Sequence, residues 1–405
     1  MSHDLRARAR ERALLRNPED PAAWLGLARE RERGGGRAGA LLAAVEALRR
    51  APQDPEVLRA LEELGWSGPW SAEDGDASGA SRSPLPGPGE GVVAWRAELP
   101  QQLLGRPRVD PLGRVVVRGV TSGLYRLDHD GRTVEPLGEW PTSVPPVLLG
   151  EAPGALDPSS HLFRSPGWEP GRVGLTVRDP AGEAWVAGRH ALLALDPDGL
   201  PRWRAPVSGP AARLAVGPVG PLWALFTPSG EEGTLFAFAR DTGAALGAHV
   251  LPHPASLVVS ADGSAWVGCA GALVEVDPQG RMRRRLPLEG VARLALSPGA
   301  PGAGGDGGSA GQLLAVTRGQ GLVAFDLDSG EARWRRPALR STLAPAVDAE
   351  GAAVLVTVEG RVVGLAPDGQ VRFELAVDRR GPLGAPALGG GRAYLTAGRW
   401  LLAIR

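Results

Sequence analysis

Arginine is the most abundant side chain here with chemistry to offer, and it comes in clusters. The chain has 405 residues, 45 basic and 45 acidic, and every basic residue is arginine. Arg281-Met282-Arg283-Arg284-Arg285 is one cluster, Trp334-Arg335-Arg336 a second, and Asp378-Arg379-Arg380 a third. A guanidinium pairs bidentately with carboxylate or phosphate, so these clusters side by side would form a basic rim for an acidic or phosphorylated partner. On the outermost strand of a sheet the same residues have a plainer use, because charge blocks edge-to-edge pairing with other chains. Trp140 and Trp168 offer a different chemistry. They stand in a Pro-rich stretch, where a large aromatic must dock on the chain itself or on a partner. The candidate partner-binding residues are therefore Trp140, Trp168, Arg281, Arg283, Arg284, Arg285, Arg335 and Arg336.

The remaining chemistry is thin. There are six histidines, at 3, 129, 161, 190, 249 and 253. His249 and His253 share a Pro-flanked segment that reads as a loop, but a zinc site needs further ligands and rigid support. The single cysteine, Cys269, has no basic neighbour in sequence and reads as a small buried apolar residue. It also excludes an intrachain disulfide. The Gly-rich stretches 34–39 and 302–311 do not join a strand to a helix with phosphate-loop spacing. No nucleophile elbow or paired-carboxylate motif is present. The expectation is no catalytic set, no cofactor and no metal. A formal charge of 0 argues against general nucleic-acid or membrane-surface binding. No apolar run reaches the ~20 residues of a membrane helix. The N-terminal residues lack the apolar stretch of a signal peptide, so a cytoplasmic location is expected.

Composition divides the chain into three. Residues 1–70 carry 12 Arg and 11 acidic residues, with Ala and Leu at helical spacing. Helices are expected over Leu5–Arg16, Pro21–Glu32, Arg37–Arg50 and Pro55–Leu64, with Asp20 and Asp54 as N-caps before Pro21 and Pro55. Asn17-Pro18-Glu19-Asp20-Pro21 recurs as Ala51-Pro52-Gln53-Asp54-Pro55, a spacing of 34 residues between Pro18 and Pro52. Residues 71–90 are Ser, Gly, Pro and acid, which reads as a flexible acidic linker. From 91 to 405, short apolar runs alternate with Gly, Pro and Asp turns, the signature of an all-β repeat.

The repeat is explicit. A strand followed by an Asp-containing Gly turn appears at 123–131, 191–199, 234–243, 272–280, 321–330 and 361–369, and 399–405 starts a seventh copy without its turn. The turns need a left-handed residue, which is where Gly131, Gly199, Gly280 and Gly369 stand. A strand ending in a small residue precedes each copy, a short apolar strand precedes that, and a polar strand, often bearing Trp, follows. Four strands in about 45 residues is one blade of a β-propeller. The fold expected is a seven-bladed β-propeller with a small N-terminal helical segment; an eighth blade hidden in 138–170 is the alternative. The seventh copy lacks its outer strand, and 92–99 supplies one with the same Trp-Arg step, so this strand is expected to close the ring. Trp95, Trp203 and Trp334 on outer strands, and Trp185, Trp223 and Trp266 on second strands, are expected between blades. Residues 138–170 and 298–311 read as insertions that meet a partner. The innermost strands offer only Asp110 and Asp348 as acids.

These motifs carry two resemblances. The 34-residue spacing, with Trp24, Leu27-Ala28, Ala40, Ala47 and Pro52, resembles a tetratricopeptide repeat, although Arg31 and Ala44 stand where that family prefers aromatics. The units Ala191–Trp203 and Gly321–Trp334 resemble the pyrroloquinoline-quinone-like propeller repeat. That repeat occurs in quinoprotein dehydrogenases and in an outer-membrane assembly lipoprotein that only binds proteins, so fold does not give function. The dehydrogenases use a vicinal disulfide and a calcium ion held partly by amides. One Cys and one Asn cannot assemble either. The functional expectation is a non-enzymatic scaffold that binds protein partners. A metal-dependent, lactonase-like propeller hydrolase and a small-molecule or glycan sensor are the alternatives.

Overall fold

Among the described residues, twenty-eight short strands are arranged in seven antiparallel sheets of four. The computed structural model describes the chain apart from 1–5, 65–78, 140–174 and 298–310, and short gaps at 8, 12–13, 15–16, 18–19, 35–36, 52–53, 80, 110–112, 122, 129, 133, 180–182, 189–190, 197–199, 210, 228–230 and 378–380. Blade one is Leu103–Val109, Val115–Gly119, Gly123–Leu127 and Val134–Glu139. Blade two is Leu175–Arg178, Ala184–Ala187, Ala191–Leu195 and Pro201–Pro206. Blade three is Ala211–Val216, Leu222–Phe226, Glu232–Phe238 and Ala245–Pro252. Blade four is Ser256–Val259, Ala265–Gly268, Ala272–Val276 and Met282–Pro287. Blade five is Val291–Ser297, Gln312–Thr317, Gly321–Asp326 and Ala332–Arg336. Blade six is Ala346–Val347, Ala353–Val356, Arg361–Leu365 and Val371–Ala376. Blade seven is Ala387–Gly389, Arg392–Ala397 and Trp400–Ile404, with Val93–Glu98 as its outer strand. The innermost strands pack side by side from blade two through blade seven and on to blade one. The described residues thus form seven blades; the segment 138–170, where an eighth was considered, lies almost wholly outside them.

Each blade is a simple meander, so its turns sort onto two faces. Turns between strands one and two and between strands three and four share the turn face. Turns between strands two and three, and the links to the next blade, share the link face. The cores lie between blades because second and third strands are buried on both sides, as in Leu222–Phe226 and Ala272–Val276. Outer strands alternate instead, with one side on the neighbour and one in solvent. Trp185, Trp223 and Trp266 occupy one repeated second-strand position and are fully buried, as their apolar surroundings require. The Trp223 indole N–H donates to Gly263 O in the next blade at 3.0 Å.

The outer-strand tryptophans lock onto the next blade's Gly turn. The Trp334 indole donates to Pro367 O at 3.0 Å, and its ring covers Gly369, where an added Cβ would lie 2.6 Å from it. Trp203 treats Gly243 the same way and donates to Arg240 O at 2.6 Å; Trp95 covers Gly131. Gly369 has φ +79°, so it answers two demands at once: a left-handed turn residue and the absence of a side chain under the indole. The Asp of these turns caps the turn. Asp277 Oδ1 accepts from the Gln279 and Arg281 N–H groups at 3.0 and 2.9 Å.

Helices α1 (Pro21–Arg33), α2 (Arg37–Arg50) and α3 (Pro55–Glu63) precede the propeller. The Ala22 N–H donates to Asp20 Oδ1 at 2.9 Å and the Glu56 N–H to Asp54 Oδ1 at 2.8 Å, the two expected caps. Ala40, Ala43, Ala44 and Ala47 are fully buried, which lets α1 and α2 approach closely.

The expectation of a flexible linker over 71–90 fails in its second half. Residues 81–90 lie against the propeller, and Ser81, Ser83 and Leu85 are buried. Leu85 belongs to the same apolar cluster as the helices. The physical reason is that composition averages over a segment, whereas docking depends on which backbone groups are free to pair.

Candidate interaction surface

The clusters at 281–285 and 335–336 fall at or beside outer strands, and Arg281, Arg283 and Arg284 pair with the chain's own carboxylates. Arg281 Nε lies 3.0 Å from Asp277 Oδ2. Arg284 Nε is 3.0 Å from Glu275 Oε2, and Arg283 Nη1 is 3.5 Å from Glu275 Oε1. Glu275 is directly opposite Arg284 in the strand pairing and is 3% exposed. Burial raises its pKa, opposed by Arg284 and then Arg283. Arg284 also donates to Leu327 O in blade five at 3.2 Å. In blade five Arg335 donates to Gln320 Oε1 at 3.0 Å, while Arg336 donates to Gly369 O at 2.7 Å and leans on the Trp334 ring. The two clusters therefore stand on adjacent blades, and from each one arginine, Arg284 and Arg336, bonds a turn of the following blade. Trp140 and Trp168 lie outside the described residues, as does the cluster at 378–380.

The other candidates resolve into structural parts. Cys269 is fully buried, and burial pushes its thiol up to about 11 against the opposing charge of Arg285. His249 was expected in a loop; it stands on the outer strand of blade three, with Nε2 2.7 Å from Gly280 O of blade four. The extended run Ala245–Pro252 explains this, since the alternation of exposed and buried residues continues through His249. Asp110 lies outside the described residues. Asp348 is buried at the end of blade six's inner strand and receives the Gly87, Glu350 and Ala352 N–H groups at 2.9, 2.9 and 2.8 Å. Burial raises its pKa against those three bonds. Among the described residues, no group of three or more His, Cys, Asp or Glu is placed to hold a metal ion. Among them, too, no helix is long and apolar enough to cross a membrane.

What the sequence reading missed is a groove on the link face between blades six and seven. Thr342, Leu343, Val356 to Val358, Gly360 and Gly381 to Leu383 line about 240 Å³. Val358 at its rim is 46% exposed. Gln102 borders Gly381 and accepts the Val120 N–H at 2.8 Å, carrying the surface on to blade one. There Val120 and Leu104 are each 46% exposed. The rim is charged: Arg340 and Glu359 pair at 3.0 Å. Three separate segments build the groove, so no local motif could have announced it.

Seven four-stranded sheets with a closing strand make the described residues a seven-bladed β-propeller. Residues 231–399 match the family model described as outer membrane protein assembly factor BamB. No curated protein matches the chain. Among solved structures, BamB from Moraxella catarrhalis is 14% identical with a TM-score of 0.39, covering 78% of this chain and 99% of that one. The Cps50 (Swd1) β-propeller domain from Myceliophteria thermophila is 12% identical, TM-score 0.47, and the computationally designed Ika8 protein 10% identical, TM-score 0.48, each with the same coverage.

Proposed function

We propose that this protein is a non-enzymatic interaction scaffold that presents the link face of its propeller, and its helical segment, to partner proteins. One observation carries the reading: the groove between blades six and seven is continuous with exposed Val358, Val120 and Leu104. A groove of mixed polar and aliphatic lining, with exposed aliphatic side chains continuing from it and a charged pair at its rim, is a surface a partner protein can fill. The family matched over 231–399 is described as an assembly factor, and an assembly role agrees with this reading. The helical segment would add a second contact, in the manner of the tetratricopeptide repeat it resembles. A cytoplasmic location is part of the proposal, and cell fractionation tests it.

The test is affinity purification of the full chain from its native cell at native abundance. The proposal expects the same partner in every preparation, lost when Val358 is changed to Asp. Repeated purification with no partner, together with a stoichiometric bound metal ion, would favour a propeller enzyme and overturn it.

A further inference from the structure

The inner edge of a propeller blade is an unpaired sheet edge facing the central channel. In blade six that edge is paired. The Val347 N–H donates to Ser81 O at 2.8 Å and the Ser83 N–H donates to Val347 O at 2.8 Å, a parallel bridge centred on Arg82. The pairing continues downstream, where Ala349 N–H donates to Leu85 O at 3.2 Å and Gly87 N–H to Asp348 Oδ2 at 2.9 Å.

The segment also touches other walls of the channel. Arg106, on the inner strand of blade one, donates to Ser81 Oγ at 3.0 Å and to Ala344 O at 2.9 Å. Gly79 lies against Leu257 and Ala215 on the inner strands of blades four and three. Contacts to blades one, three, four and six place this segment within the channel, not beside it.

The sequence is written for that position. Ser81, Ser83 and Leu85 are 1%, 0% and 0% exposed, while Arg82, Pro84 and Pro86 between them are not buried. The burial alternates with period two, around the one bridge at Arg82; the chain enters it through a left-handed Ser81 (φ +52°) and bends after it at Pro84 and Leu85. Prolines stand at 84 and 86, and the N–H groups that bond blade six are those of Ser83 and Gly87, while the Leu85 N–H donates to Ser83 Oγ within the segment. Pro removes a donor where none is used, and its fixed φ narrows the conformations the segment can take before it docks.

We propose that the channel edge of blade six is a β-augmentation site whose resident ligand is the chain's own residues 81–87. This strap occupies part of the channel. It also fixes the helices there, because Leu85 completes their core. The helices and the propeller then move as one body, and an outside peptide cannot use this edge.

Hydrogen exchange on the full chain tests it. The Ser83, Gly87 and Val347 amides are expected to be as protected as the strands of blade six. A labelled peptide of residues 79–90 is expected not to bind the wild-type chain. Leu85→Asp should release the strap, raising exchange at 81–87 and Val347 by more than ~tenfold while blades two to five keep their protection. Exchange of the wild-type Ser83 and Gly87 amides at the rate of an unstructured chain would overturn the proposal. So would saturable binding of the peptide to the wild-type chain, since it would show the edge empty. The wild-type measurements stand whether or not the variant folds.

Discussion

At the scale of the residue, the ring is held by side chains that reach across blade boundaries. Trp334 is the clearest: its indole donates to Pro367 O and its ring lies on Gly369. Trp334→Ala should cost about 2–4 kcal/mol, read by chemical denaturation, because it removes a large packed side chain and leaves a gap. Gly369→Ala should cost about 1–3 kcal/mol, since it strains a left-handed residue and also pushes on the indole. If the alanine is tolerated without loss, the locking role of the turn glycine is wrong. Asp326 gives a pH prediction. Burial works against its charge, but the Ser329 backbone and side chain and the Arg333 guanidinium prevail and hold its pKa at about 2. A carboxyl with a depressed folded pKa stabilises fully above its unfolded value of about 4, and that stability is lost as pH falls through about 2. Asp326→Asn should therefore flatten the acid limb of stability between those two values. A limb unchanged in the variant would show that the turn does not depend on the charge. Cys269, at about 11 and fully buried, should react with a thiol reagent only when the chain is unfolded.

At the scale of the element, two extended segments before Leu103 complete the propeller, and they differ in how legible they are. Val93–Glu98 pairs with Trp400–Ile404, from Val93 opposite Ile404 to Glu98 opposite Trp400. This pairing removes the edge that a three-stranded last blade would expose. Deleting 91–100 should lower the unfolding midpoint by more than ~10 °C or drive aggregation, and an unchanged midpoint would mean the ring does not need this strand. The strand can be read from sequence because it repeats the Trp-Arg step of other outer strands, as in Trp203-Arg204 and Trp334-Arg335. The blades can be read because Asp, Pro and Gly turn chemistry is local and each copy carries its own. Residues 81–87 could not be read from composition. Ser, Gly and Pro signal a linker when averaged, and only the phase of Pro84 and Pro86 against the free edge of blade six shows otherwise. The groove at 342–343, 356–360 and 381–383 is a product of assembly, so it has no signature in any one segment.

At the scale of the whole molecule, the two faces of the ring have different uses. The turn face gathers the Asp-capped turns, and the Asp348 turn holds the strap. The link face carries the groove and the exposed aliphatic side chains that continue from it. Of the clustered arginines, Arg281 and Arg284 pair with Asp277 and Glu275, and Arg336 bonds Gly369 O in the next blade. Sequence reasoning placed those side chains by outer strands but had no means of seeing that the buried Glu275 would pair with Arg284 and Arg283. The central claim is that partners meet the link face. The most direct measurement places a photo-crosslinking residue at Val358 or Leu104 in the full chain within its native cell, with Val250 on an outer strand as the control, and identifies the adducts by mass spectrometry. The account predicts one protein joined reproducibly at Val358 and Leu104 and not at Val250. Adducts at Val250 alone, or none at either link-face position, would contradict it.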